Sequence, residues 1–238
     1  MDRLLSRWRR RFSLGQISEQ TLSATEDAVN LLDSPFCSLE PCGTGSSFDH
    51  TAFRFSPYFG YNWQFGQQWL AGLEGDVGFG SKTSTLSGVP LPGAGVFSGF
   101  NSVGDSFAVE TSWDASLRAR IGYLATSDVL VYATAGPAWQ RVAATSICGQ
   151  NNFFTCGGSG LRSVVSDTTT KLGYTIGGGI ETMIGGHWLL RGELRYSDFG
   201  SITNTDIRTD LPFTDNVTTS YKLRLTTETA LVGVGYKF

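Results

Sequence analysis

The chain has 238 residues, 18 Lys+Arg against 21 Asp+Glu, a net charge of −3 and a mean hydropathy of −0.07. No stretch reaches the roughly 20 apolar residues of a spanning helix, which excludes a helical membrane protein. Charged residues are only 16%, below the roughly 25% of an ordinary soluble domain, and two His and two Met leave little material for a metal or cofactor site.

The opening MDRLLSRWRRR holds five of the basic residues and one of the acidic ones, leaving −7 on the remainder. It is like the n-region of a signal peptide, but no apolar h-region follows. FSLGQISEQTLSATEDAVNLLD is polar and mildly helix-permissive. Residues 1–48 therefore read as an irregular or helical extension, with an Arg-rich surface helix on anionic lipid as the alternative.

Residues 49–238 read as a barrel domain, because alternation with period 2 takes over. In FRFSPYFGYNWQ, Phe53, Phe55, Pro57, Phe59, Tyr61 and Trp63 oppose Arg54, Ser56, Tyr58, Gly60, Asn62 and Gln64. In WLAGLEGDVGF, Trp69, Ala71, Leu73, Val77 and Phe79 oppose Glu74 and Asp76. In WDASLRARIGY, Trp113, Ala115, Leu117, Ala119, Ile121 and Tyr123 oppose Asp114, Ser116, Arg118 and Arg120. VLVYATAGPAW is apolar on both faces; Val129, Val131, Ala133, Ala135 and Trp139 are assigned to the apolar one. KLGYTIGGGIE sets Leu172, Tyr174, Ile176 and Ile180 against Lys171, Thr175 and Glu181. WLLRGELRYSDF sets Trp188, Leu190, Leu194 and Tyr196 against Arg191, Glu193 and Arg195. In the last strand the phase flips between Leu225 and Ala230, and a bulge near Thr226–Thr227 is expected to repair it.

Short links (FGQQ, ATSD, GGH) alternate with long ones, at about residues 80–107, 143–167 and 200–219. That is an antiparallel meander with tight turns at one end and long loops at the other. Its strands of about 10 residues or more suffice for a tilted crossing.

Two architectures share this pattern. A soluble lipocalin-like binding barrel puts apolar residues inside; an outer-membrane barrel turns them to lipid around a polar interior. The aromatics favour the second. Trp63, Trp69, Tyr123, Trp188, Tyr236 and Phe238 all sit on the apolar face at the short-turn end, as a girdle at a membrane–water boundary would. The polar face carries Arg54, Arg118, Arg120, Arg191 and Arg195 against Glu74, Asp76, Asp114, Glu181 and Glu193, with little Lys. Arg with carboxylate suits a crowded interior network.

At this point GYNWQ, WLAGLEGD, SLRARIGYL, LVYATAGPAW, YTIGGGIE, LLRGELRYSDFG and the terminal VGVGYKF carry a resemblance. In this order, over about residues 58–238, the chain resembles the small outer-membrane β-barrel proteins typical of alphaproteobacteria. These are often called porin family proteins and are related in form to the OmpA-type transmembrane domain. The resemblance implies an all-β, eight-stranded up-and-down barrel in the outer membrane of a Gram-negative cell. It also implies that the strand ending at Phe238 is the signal read by the barrel-insertion machinery.

The start departs from that pattern. Family members begin with a cleaved signal peptide and a first strand rich in Gly and aromatics, and neither is visible in residues 1–50. Seven strands are recognisable, whereas closure takes an even number and open edges are not tolerated in lipid. The start is therefore expected to be mis-assigned or truncated, and the sheet imperfectly closed.

Cys37 with Cys42 and Cys148 with Cys156 form two local pairs in long-link segments, read as disulfide staples in an oxidising compartment. Asp206, Asp210 and Asp215 lack the spacing of a Ca²⁺ loop, and IGGGIE lacks the Lys-Ser/Thr of a phosphate loop. His50 and His187 have no Ser or Cys partner nearby. The reading is a non-catalytic structural and surface-interaction protein, its lumen plugged by Arg–carboxylate pairs, with a narrow channel for small solutes as the alternative. Outer-membrane lipid, the insertion machinery and an extracellular loop partner are expected; cofactor and nucleic acid are not.

Overall fold

The computed structural model describes residues 3–26, 29–30, 46–87, 106–148, 163–209 and 216–237, nearly all of them strand. The long strands are β1 (Arg3–Glu26), β3 (Ser46–Phe65), β4 (Trp69–Ser87), β5 (Ser106–Leu124), β6 (Val129–Cys148), β7 (Ser163–Met183), β8 (Trp188–Thr209) and β9 (Asn216–Lys237). A two-residue β2 (Val29–Asn30) pairs with the end of β1. Each long strand is antiparallel to the next along the chain, and β1 also pairs with β9. Trp8 stands opposite Pro57 of β3 on one side and Val234 of β9 on the other. Eight long strands thus close into a ring.

This corrects the expectation for the N-terminal segment. Arg3–Glu26 is neither helical nor irregular but a 24-residue strand, and the sheet is closed. The physical reason is hydrogen-bond demand. Without β1, the outer edges of β3 and β9 would leave a row of unpaired amides and carbonyls. A backbone ladder needs no side-chain alternation, so a segment lacking the pattern can still complete it.

The long links are also shorter than expected. β4 to β9 run 19 to 22 residues, about twice a membrane crossing, so much of each anticipated loop is ladder. Register irregularities lie in β1 between Thr21 and Ser23, in β4 between Phe79 and Lys82, in β5 between Thr111 and Asp114, and in β8 between Asp198 and Ser201. No bulge occurs at Thr226–Thr227; the extra residue sits across the ladder in β8, where Gly200 takes a φ of 71°.

Alternation sorts the side chains as the inverted barrel requires. Phe59, Leu73, Leu117, Ile121, Ile176, Ile180, Leu194 and Val232 are exposed on the outside, while Arg118 is fully buried inside.

Candidate functional site

The lumen is layered along the barrel axis, because successive inward positions of each strand climb in steps of two residues. At the short-turn mouth, Leu70, Leu124, Leu130, Met183 and Leu189 surround a cleft of about 110 Å³ with Asn62, Gln64, Glu181 and Lys237. One layer deeper come Tyr58, Tyr132 and Arg120. The Arg120 guanidinium lies 3.8 Å from the centre of the Tyr132 ring and 2.8 Å from Glu181. Arg191 faces the same two tyrosines, 4.4 Å from Tyr132 and 4.9 Å from Tyr58. Glycines make room for these rings: a Cβ at Gly179 would lie 2.5 Å from the Tyr132 hydroxyl.

The middle of the lumen is an ion-pair lattice. Arg191 donates from both terminal nitrogens to Glu74, at 3.1 Å each, and also to Glu193. Arg118 pairs with Glu74 at 2.5 Å and donates to Glu193 at 2.6 Å. Arg195 bridges Asp76 and Glu193, at 2.9 Å each. Ser56 and Ser116 donate to Asp76. Among the described side chains of this lattice, three arginines face three carboxylates, and bidentate forks supply the geometry a buried pair needs.

One feature of this lattice spans the molecule. In the ring of eight, β4 and β8 stand four strands apart, on opposite walls. The Arg191–Glu74 and Arg195–Asp76 pairs therefore cross the full width of the lumen.

Higher up, Arg54 pairs with Asp114 at 2.7 Å. Its other terminal nitrogen donates to the carbonyls of Gly80 (3.1 Å) and Ser112 (2.9 Å), both at bulges. A bulge frees carbonyls from the ladder, and Arg54 satisfies two of them at once. Above it lies an apolar layer of Phe107, Val109, Ala138, Val142, Phe199 and Leu225.

All ten charged residues singled out in the sequence are buried and paired with one another. Tyr58 falls on the inward face assigned to it but was given no role, and Tyr132 and the two apolar layers were missed. Their signals were the apolar residues on both faces of VLVYATAGPAW and the phase flip at Leu225, which points inward against Phe199.

The short-turn aromatics gather on the outer face. Trp69 meets Tyr123 edge-on at 5.3 Å, Trp188 meets Tyr236 at 5.4 Å, and Trp63 meets Tyr61 at 4.8 Å. Phe238 lies outside the described residues. A second belt, unrecognised in the sequence, runs about ten residues further up: Phe55 opposite Phe79, Phe79 opposite Trp113, then Trp139 and Tyr174. Cys37, Cys42 and Cys156 lie outside the described residues, as does the side chain of Cys148.

A model of the outer membrane protein β-barrel domain matches residues 28–238. The chain belongs to this family. The 31 kDa outer-membrane immunogenic protein of Brucella melitensis is 29% identical over 75% of the chain and 63% of its own length. The 22 kDa outer membrane protein of Rhizobium leguminosarum is 29% identical over 67% and 59%. The chain thus spans about three fifths of these relatives. The solved structures of OprG from Pseudomonas aeruginosa and of the outer membrane protease OmpT from Escherichia coli share the fold. Each has a TM-score of 0.55, with 11% and 8% identity, and the matches cover 100% and 99% of the chain and 95% and 97% of the solved chains. This outer-membrane barrel resides in the outer membrane, its apolar face against lipid.

Proposed function

We propose that this barrel is a non-catalytic structural and surface-interaction protein of the outer membrane whose lumen does not conduct. The observation that carries the reading is the Arg191–Glu74 fork, which ties opposite walls together. An eight-stranded barrel is just wide enough for side chains to fill. The void among Arg54, Asp114, Thr175 and Arg195 is about 10 Å³, room for about one water. Apolar layers above and below the lattice raise the cost of hydrating it.

The short turns face the periplasm, and the long strand extensions carry the loops outward to present a partner surface. Trp63, Trp69, Tyr123, Trp188 and Tyr236 mark the inner boundary, and the belt from Phe55 to Tyr174 marks the outer one. The C-terminal strand β9 is the segment offered to the insertion machinery. Single-channel recording of the refolded full chain in planar bilayers tests the lumen: a silent barrel is expected, and stable, reproducible openings would establish the channel reading instead.

A further inference from the structure

We propose that the outer face of β8 and β9 is a docking site for one phosphorylated glycolipid of the outer leaflet. The site is written in the register. Outward pairs climb the β8–β9 ladder as Leu194 opposite Ala230, Tyr196 opposite Glu228, Ser201 opposite Arg224 and Thr203 opposite Lys222. The first and last steps are each about 7 Å, two residues of strand, while Asp198 opposite Thr226 lies between the Glu228 and Arg224 rows and sets them about 14 Å apart.

The lowest part is a groove. Ile176, Gly177, Leu194, Tyr196 and Ala230 form the largely apolar floor of a depression of about 470 Å³ on the outer surface, and Arg195, Glu228 and Thr229 complete its lining. It stays open because the two cross-strand neighbours of Leu194, Gly178 on β7 and Ala230 on β9, are small. In a lipid-facing wall, the occupant of an apolar groove is an acyl chain.

The middle row is polar. Glu228 and Tyr196 together offer carboxylate acceptors, a hydroxyl donor and an aromatic face, the combination that fits sugar hydroxyls. The top row is cationic. The Arg224 side chain is 61% exposed, and Asp198 holds one edge of its guanidinium at 3.1 Å. The other oxygen of Asp198 accepts from the Gly200 amide at 2.7 Å, so that carboxylate is occupied in orienting Arg224. The remaining fork of Arg224, with exposed Lys222 one row above, is set for phosphate. Acyl, sugar and phosphate requirements thus stack in the order in which an outer-leaflet glycolipid presents them.

The opposite arc differs. At comparable height β3, β4 and β5 present Phe53, Phe55, Phe79 and Trp113. The proposal rests on the orientation given above, but its test does not, because binding in micelles is read without reference to leaflet.

Native mass spectrometry of the full chain in detergent would compare a bis-phosphorylated lipid A, its dephosphorylated form and phosphatidylglycerol. The expected result is retention of one phosphorylated glycolipid, with the other two held at least about tenfold less. Arg224→Ala and Lys222→Ala should each weaken it on the order of fivefold, and Ala230→Trp should displace it by filling the groove. Arg141→Ala, which removes an exposed cation of β6, should leave retention unchanged and controls for general charge. Heat-modifiable gel mobility verifies that each variant is folded. Equal retention of phosphatidylglycerol, or equal losses from Arg141→Ala and Arg224→Ala, would overturn the site.

Discussion

Arg118 reaches Glu74, Asp76 and Glu193 from one fully buried guanidinium. Removing it strands carboxylates in a dry lattice, and breaking such a pair is destabilising by about 3–5 kcal/mol. Arg118→Ala should lower the unfolding free energy by that amount in equilibrium urea titrations of the detergent-refolded chain. Arg224→Ala, at an exposed pair, should change it by less than about 1 kcal/mol. Equal effects would mean that the lumen is hydrated. Packing at this scale is equally tight: the Cβ of a Gly179→Ala variant would press on both Tyr132 and the Gly192 carbonyl, which should cost about 1–3 kcal/mol in the same titration.

Each strand carries its own membrane ruler. On β5, Trp113 and Tyr123 stand ten residues apart, as do Trp69 and Phe79 on β4, matching a tilted crossing. Leu117 lies near the middle and is exposed to lipid. Leu117→Arg should cost about 2–4 kcal/mol, whereas Tyr123→Arg at the boundary should cost about 1 kcal/mol or less. The depth dependence is the measurement: equal penalties at the two sites would displace the proposed boundaries. The outer faces and the lumen charges were legible in the sequence because period 2 assigns them strand by strand. Phe107, Val109 and Leu225 were not, since an apolar residue facing inward breaks the very rule by which faces are recognised.

The whole molecule depends on closure. β1 has the longest register of any strand with β9, and it also lines the edge of β3. Deleting residues 1–26 should expose both edges, each orphaned amide or carbonyl in lipid costing several kcal/mol. The truncated chain should lose heat-modifiable mobility and its cooperative β-sheet melt. A deletion variant that keeps both would show that β1 is dispensable and that another segment completes the ring.

By itself, the sequence determined the architecture from β3 to β9: antiparallel order, lipid-facing apolar rows, an interior of arginine and carboxylate, and aromatics at the short turns. Those properties follow from local alternation and the strand period, which need no knowledge of neighbours. Tertiary structure alone decided that Arg3–Glu26 closes the sheet, because a ladder is specified by the unpaired edges it meets and that segment has no alternation to announce it. Only the closed ring could set Arg191 against Glu74, residues on opposite walls and 117 positions apart in the chain. Which carboxylate an arginine reaches depends on barrel width and stagger, quantities that no single strand contains.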